Sequence, residues 1–284
     1  MTLSHQPSGV LRRDAVLLII AAGLWSTSGL LVKVIDWPPL AILGARSLIA
    51  SVVFLAYRRR LPRRVTRWQI VGAVAYLGTQ LTFISATKLT TAANAIFLQY
   101  TAPIHVIWLA FWLLKERPQR ADWLAMAAIF AGLLLFFGDQ LSLAGAAGNG
   151  LAILSGVALA LMAVCLRAQK EAVPAETILI GNLLGAGLAL PATLGQNWSP
   201  ANVAILVYLG VFQIGLSFIL YSVAIRRVPA LEATLLVTLE PILNPIWVFL
   251  VLGERPGPLA LLGSLVVLAA VGARAVTGAR PPAR

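Results

Sequence analysis

Residues 113–118 read "LLKERP" and close a hydrophobic run; residues 251–256 read "VLGERP" and close another, 138 residues later. The echo reaches well beyond the tag. Laid over each other at that offset without gaps, 86–118 and 224–256 share 11 identities in 33 positions, where about 3 would arise by chance. The pairs include Ala95/Ala233, Pro103/Pro241, Phe111/Phe249, Glu116/Glu254, Arg117/Arg255 and Pro118/Pro256. Twice 138 is 276, close to the full 284 residues. The chain therefore reads as one module duplicated, with halves 1–138 and 149–284 joined by a linker at 139–148.

Hydrophobic residues make up 60% of the chain and charged residues 11%. The charges are segregated, leaving apolar runs of about 18–22 residues, the length that crosses a hydrocarbon core of ~30 Å. A soluble core cannot hide so many runs of that length, so the fold class is an all-α polytopic membrane protein. Ten runs are expected to span: 14–35, 39–57, 68–87, 91–113, 120–138, 149–169, 175–194, 201–222, 230–251 and 257–276. The first follows Arg12 and Arg13 as a signal peptide would. It is too long for a signal core and carries no convincing cleavage site, so it is read as a retained transmembrane helix.

A net charge of +12 would suggest nucleic acid in a soluble protein; here orientation explains it, and no nucleic-acid partner is expected. With a cytoplasmic N-terminus, 18 Lys and Arg fall on cytoplasmic segments, among them the six arginines of 58–67, against Lys33, Lys88 and Arg255 outside. Such a bias places both termini inside and the 139–148 linker in the periplasm. The arginine run can also be read as a site for anionic lipid or a partner. Cys165 is the single cysteine, so there is no internal disulfide.

Five spans per module is an odd number, so the second copy enters the membrane inverted. The tag agrees: "KERPQR" at 115–120 carries three cations and "GERPGP" at 253–258 carries one, as if edited for opposite sides. Inverted repeats are how many secondary transporters build two interconvertible states around a midplane site.

With ten runs as five plus five, a proline-broken fourth run in each half, "KERP" and "GERP" closing those runs, and Arg46 in "AILGARSLIA", the chain resembles the EamA family of the drug/metabolite transporter superfamily. The resemblance covers both halves. It implies export of amino acids or other metabolites by alternating access. The central cavity would be lined mainly by the first, third, fourth, sixth, eighth and ninth runs. A bacterial inner (cytoplasmic) membrane location, with membrane lipids around a monomer or weak homodimer, is the corresponding expectation.

Pro103 lies near the centre of the fourth run and Pro241 at the equivalent place in the ninth. Each removes a backbone donor and frees the carbonyl four residues earlier, which in a bilayer must find another partner or face water. They are candidate hinges, or else packing kinks. Around them sit polar side chains that lipid-facing helices would not keep: Asn94, Gln99, Tyr100 and His105 on the fourth run, Glu240 and Asn244 on the ninth. Trp25, Tyr76, Gln80 and Gln213 lie at similar depth on other runs, and Phe212 and Tyr221 join them by residue count. Trp25, Tyr76, Gln80, Asn94, Gln99, Tyr100, Gln213 and Asn244 are the candidate substrate-binding residues. Glu240 is the one carboxylate near the membrane centre, with Arg46 as its counter-charge by depth. Either this is a structural pair or it handles substrate or protons. For His105 a proton role competes with a plain interhelical hydrogen bond. Gly181 and Gly185 form a GxxxG pair, for intramolecular packing or a dimer face.

No P-loop, GxSxG, HExxH or paired-carboxylate motif occurs, and His5 and His105 cannot build a metal cluster. No cofactor, metal or enzymatic activity is expected. The expected function is a secondary transporter exporting small organic metabolites, foremost amino acids and particularly large or aromatic ones. A lipid scramblase or an intramembrane enzyme are the alternatives; a sideways groove open to lipid would mark the scramblase.

Overall fold

The structure, a computed structural model, describes residues 8–60, 64–90, 92–138, 145–169, 173–243, 247 and 258–278. All regular structure among them is helical. In chain order the helices are α1 (Ser8–Trp25), α2 (Ser28–Val34), α3 (Pro39–Arg58), α4 (Arg67–Leu89), α5 (Ala92–Gln99), α6 (Ala102–Leu114) and α7 (Arg120–Phe137). Then follow α8 (Ala146–Ala168), α9 (Pro174–Ala189), α10 (Pro200–Tyr208), α11 (Ser217–Ala224), α12 (Ala230–Leu236) and α13 (Pro258–Gly278). A π-helical stretch, Leu209–Leu216, joins α10 to α11, and a 3₁₀ turn, Val237–Leu239, follows α12.

Among the described residues, 7 spans are long and apolar enough to cross a membrane, at 13–32, 39–58, 67–89, 94–114, 146–168, 174–193 and 200–224. The three other runs expected from sequence are represented by α7, by α13 with its shorter apolar stretch Leu261–Ala273, and by α12 with the residues up to 243. Most of the ninth run beyond Leu243, with the second tag, lies outside the described residues.

Helix ends follow local chemistry. The arginine run gives way to α4 through a capping box: Thr66 Oγ1 accepts from the Gln69 amide at 3.3 Å, and Gln69 Oε1 accepts from the Thr66 amide at 2.9 Å. The first tag is a helix stop. Lys115 adopts a left-handed conformation (φ 60°) just after α6, and Pro118 follows three residues on. Asp122 then accepts from the Gln119 amide at 2.7 Å to start α7.

The bundle is apolar outside, and its largely apolar core also buries polar side chains. Trp112 (71% exposed), Leu124 (73%) and Leu194 (80%) face outward, while Arg46, Tyr76 and Asn182 are buried. That inversion suits a lipid solvent, where outward apolar surface carries no penalty and inward polar groups need partners. α4 packs along α8 and α1 along α11; α3 packs on α9 and α7 on α13. α9 approaches closely because of its glycines. A Cβ on Gly181 would lie 2.5 Å from the Tyr76 ring, and one on Gly185 2.9 Å from Ser47 Oγ. The GxxxG pair therefore packs within the chain.

Candidate functional site

The two proline positions break their helices. α5 ends at Gln99 and α6 restarts at Ala102, with Pro103 buried in its first turn. α12 gives way to the 3₁₀ turn at Val237, just before Glu240 and Pro241. Because Pro241 has no amide, the Val237 carbonyl loses the donor four residues on and accepts from the Glu240 amide of the 3₁₀ turn instead. The Tyr100 hydroxyl lies 3.0 Å from that oxygen and 2.6 Å from Glu240 Oε2. On the other break, Gly156 of α8 sits where a Cβ would be 2.7 Å from the Gln99 carbonyl, the one freed by Pro103.

These breaks border a central cavity of about 50 Å³, room for a few waters. Its walls include Trp25, Arg46, Gln80, Gln99, Tyr100, Gln213, Phe218 and Glu240. Arg46 is 1% exposed and donates from Nη2 to Gln80 Oε1 at 2.6 Å. Gln99 Nε2 donates to Ser155 Oγ at 2.7 Å, which donates on to the Thr79 carbonyl at 3.1 Å. Among the described residues, three buried polar atoms on these walls have no hydrogen-bond partner: Trp25 Nε1, Arg46 Nε and Gln213 Oε1. Such atoms are costly in a protein interior unless a ligand or water completes them.

Arg46 and Glu240 share the cavity but form no ion pair; each is held by a neutral partner instead. The depth-based pairing of the two charges is thus replaced by Arg46–Gln80 and Glu240–Tyr100. Tyr76 does not line the cavity. It donates to Asn182 Oδ1 at 3.0 Å and packs edge-on against Phe218, ring centroids 5.1 Å apart. Asn94 lies toward one end of the bundle, donating to Asn149 Oδ1 at 2.9 Å and Thr90 Oγ1 at 3.3 Å. His105 is partly buried on α6 and makes no hydrogen bond among the described residues. Asn244 lies outside the described residues. Phe212 is 43% exposed and faces outward.

Phe218, which residue counting passed over, is central. It packs at a tilt against Trp25 (centroids 4.7 Å apart, planes 51° apart), and Trp25 also meets Tyr221 at 5.4 Å. On an ideal α-helix Gln213 and Phe218 would point about 140° apart. The intervening π-helical stretch, whose hydrogen bonds run between residues five apart, lets both reach the cavity.

One residue beyond Tyr221, Ser222 lines a second space, a vestibule of about 690 Å³ at one end of the bundle. Tyr57, Trp68, Glu116, Arg167, Gln169, Arg226 and Arg227 also border it. Among the described residues, three ion pairs tie 1–138 to 149–284 at this end: Arg58–Glu176 at 2.5 Å, Arg167–Glu116 at 2.9 Å and Arg227–Asp14 at 3.4 Å. Glu116, from the first tag, also accepts from the Ala230 amide at the start of α12, at 3.3 Å. The opposite end is tied without ion pairs between the described residues named there. Trp37 Nε1 donates to the Asn197 carbonyl at 3.1 Å and its ring meets Trp198 edge-on at 4.8 Å. Thr90 donates to Asn149 at 2.8 Å. Among the described residues no group of His, Cys, Asp and Glu could hold a metal ion.

The chain is 28% identical to an uncharacterized transporter, YwfM, of Bacillus subtilis (strain 168), over 90% of this chain and 94% of that protein. It is 25% identical to the threonine/homoserine exporter RhtA of Escherichia coli (strain K12), over 80% of this chain and 77% of the exporter. A solved crystal structure superposes with a TM-score of 0.79 at 20% identity, covering 95% of this chain and 99% of that one, a likeness of fold. The model of the EamA-like transporter family matches at residues 13–138 and again at 146–273. The chain is a multi-pass membrane protein of the transporter type and belongs to the EamA-like transporter family.

Proposed function

We propose that this protein is a secondary transporter exporting small organic metabolites, foremost amino acids, by alternating access of two inverted five-helix halves. The observation that carries the reading is the central cavity, lined by both halves and presenting unpartnered buried polar atoms beside aromatic rings. The polar groups suit a charged head and the aromatic faces an apolar side chain, which favours large or aromatic amino acids. The name of the RhtA relative supports amino-acid export.

Helix packing supports the inverted repeat. Adding 138 carries α3 onto α9 and α7 onto α13, and each of these pairs is in contact. The same shift carries α1 onto α8 and α4 onto the segment containing α11. The α4–α8 contact then has α11–α1 as its counterpart. Ten spans, both termini in the cytoplasm of a bacterial cell, and a first half at 1–138 joined by a periplasmic linker to a second at 149–284 complete the reading. The three ion pairs then sit on the cytoplasmic side and must break and re-form as the halves rock. The apolar groove between α4 and α8, lined by Ile70, Val71, Val74, Leu154, Val157 and Leu161, offers no polar path for a lipid headgroup and weighs against a scramblase.

The test is counterflow of a labelled amino-acid panel in proteoliposomes of the purified full chain. Saturable exchange of at least one amino acid, with apparent affinity weakened roughly tenfold in Gln213→Ala, is expected. Equal leak of all solutes, or bilayer scrambling of labelled lipid without solute exchange, would sink the proposal.

A further inference from the structure

We infer that Arg46 and Glu240 are the two charge readers of the central cavity, each recognising the opposite pole of a dipolar, net-neutral ligand. The inference rests on the transporter reading of the same cavity and deepens it. Both side chains line the cavity, and neither is neutralised by the other. Gln80 contributes only a carbonyl oxygen to Arg46, and Tyr100 only a hydroxyl to Glu240. Two opposite charges inside a bilayer-spanning body would ordinarily collapse onto each other, because a paired charge costs less to bury than a single one. Here each instead bonds a neutral side chain on the wall of the same cavity.

The orphaned atoms divide by sign in the same way. Arg46 Nε and Trp25 Nε1 are donors without acceptors; Gln213 Oε1 is an acceptor without a donor. All three side chains are at least nine-tenths buried: Arg46 1% exposed, Gln213 5% and Trp25 6%. The cavity therefore offers donors from Arg46 and Trp25 for an anion, and acceptors from Glu240 and Gln213 for a cation or N–H donor. A simple anion would leave Glu240 facing a like charge, and a simple cation would do the same to Arg46. An α-amino acid zwitterion meets both needs at once: its carboxylate toward Arg46, its ammonium toward Glu240. Phe218 and Trp25 then border its side chain. With about 50 Å³ the cavity in this state is smaller than a whole amino acid, so admission requires it to widen.

The test uses the purified full chain in proteoliposomes. The parent solutes are L-phenylalanine and L-threonine, compared with N-acetyl-L-phenylalanine, which lacks the ammonium, and L-phenylalaninamide, which lacks the carboxylate. Wild-type protein should prefer a parent zwitterion over either derivative by about tenfold or more, the effect of one charge-assisted hydrogen bond. Arg46→Gln should erase the preference over the amide and keep that over the N-acetyl compound; Glu240→Gln should do the converse. Arg46→Lys and Glu240→Asp, which keep the charges, should retain both preferences in part, and wild-type discrimination needs no variant to fold. Transport of a parent and both derivatives at equal rates would overturn the assignment while leaving the transporter reading intact. So would variants that slow all solutes in equal proportion. Exchange of none of the four solutes would remove the amino-acid reading on which the assignment rests.

Discussion

The Tyr100 hydroxyl lies 3.0 Å from the Val237 carbonyl oxygen, which lacks the amide of Pro241 four residues on and keeps only the 3₁₀ bond from the Glu240 amide. A side chain from the first half thus completes a backbone defect in the second, and the same hydroxyl lies 2.6 Å from Glu240. The contact joins the two broken helices at the cavity wall. Any motion that straightens or bends the ninth run at Pro241 must remake it.

That geometry predicts a coupled pair of mutations. Tyr100→Phe removes the one hydroxyl proton shared between the Val237 carbonyl and the Glu240 carboxylate, a loss of about 1–3 kcal/mol for an unsatisfied group. In a Pro241→Ala background the residue-241 amide can serve Val237, so Tyr100→Phe should cost less there, by about 0.5–1.5 kcal/mol. Thermal unfolding of the four proteins of this double-mutant cycle in one detergent measures the difference. Additive effects would mean that the hydroxyl and the proline act independently. Pro241→Ala should also lower transport turnover more than it lowers stability, as should Pro103→Ala.

The vestibule ion pairs predict a shift of conformation. Glu116 bonds both Arg167 and the Ala230 amide, holding α12 of the second half against the end of α6. Its side chain is 27% exposed, so the pair contributes about 1 kcal/mol or less after screening. About 1 kcal/mol still moves a two-state equilibrium roughly fivefold. Glu116→Ala should therefore favour a vestibule open at this end. Ser222→Cys, in a Cys165→Ser background, should then react roughly fivefold faster with a water-soluble thiol reagent. An unchanged rate would show that this pair does not latch the halves.

Orientation has its own test. Arg60 and Asn197 are both exposed and lie toward opposite ends of the bundle. Cysteines placed at these positions, again with Cys165→Ser, should label from opposite sides of the membrane, Asn197→Cys from outside in intact cells. Labelling of both from outside would overturn the cytoplasmic termini and the inverted repeat together.

Depth was legible in the sequence and rotation was not. Counting residues along apolar runs is enough to put Trp25, Gln80, Tyr100 and Gln213 at one level, and all four line the cavity. The prolines marked helix breaks because their missing amide is a property of the residue itself. Which way a side chain turns at a given level depends on packing between helices. Arg46 meets Gln80 rather than Glu240, and Tyr76 spends its hydroxyl on Asn182 next to the glycines of α9. Phe218 was hidden for a different reason. The π-helical stretch before it changes the periodicity from which a facing residue would be read, and nothing in "LGVFQIGL" announces that change. The role of the tag was also out of reach, since Glu116 acts on Arg167 and Ala230, far away in sequence.

Gln80 and Gln213 should give opposite signatures although both are glutamines on the same cavity. Gln80 Oε1 is the acceptor for Arg46 Nη2, so Gln80→Ala strips a buried guanidinium of its hydrogen-bond partner. Losing a hydrogen bond to a buried charged group costs about 1.5–3 kcal/mol, and the protein should unfold measurably earlier. Gln213 Oε1 has no protein partner, so Gln213→Ala removes an unsatisfied acceptor and should leave thermal stability nearly unchanged. Its loss falls on the ligand instead. A hydrogen bond to a charged group contributes about 1.5–3 kcal/mol, so apparent affinity should weaken by roughly tenfold or more. Thermal unfolding and the half-saturation constant for counterflow, measured on both variants, separate the two cases. If Gln213→Ala unfolds early with unaltered affinity, the side chain is a packing element and its place on the cavity wall has no bearing on the ligand.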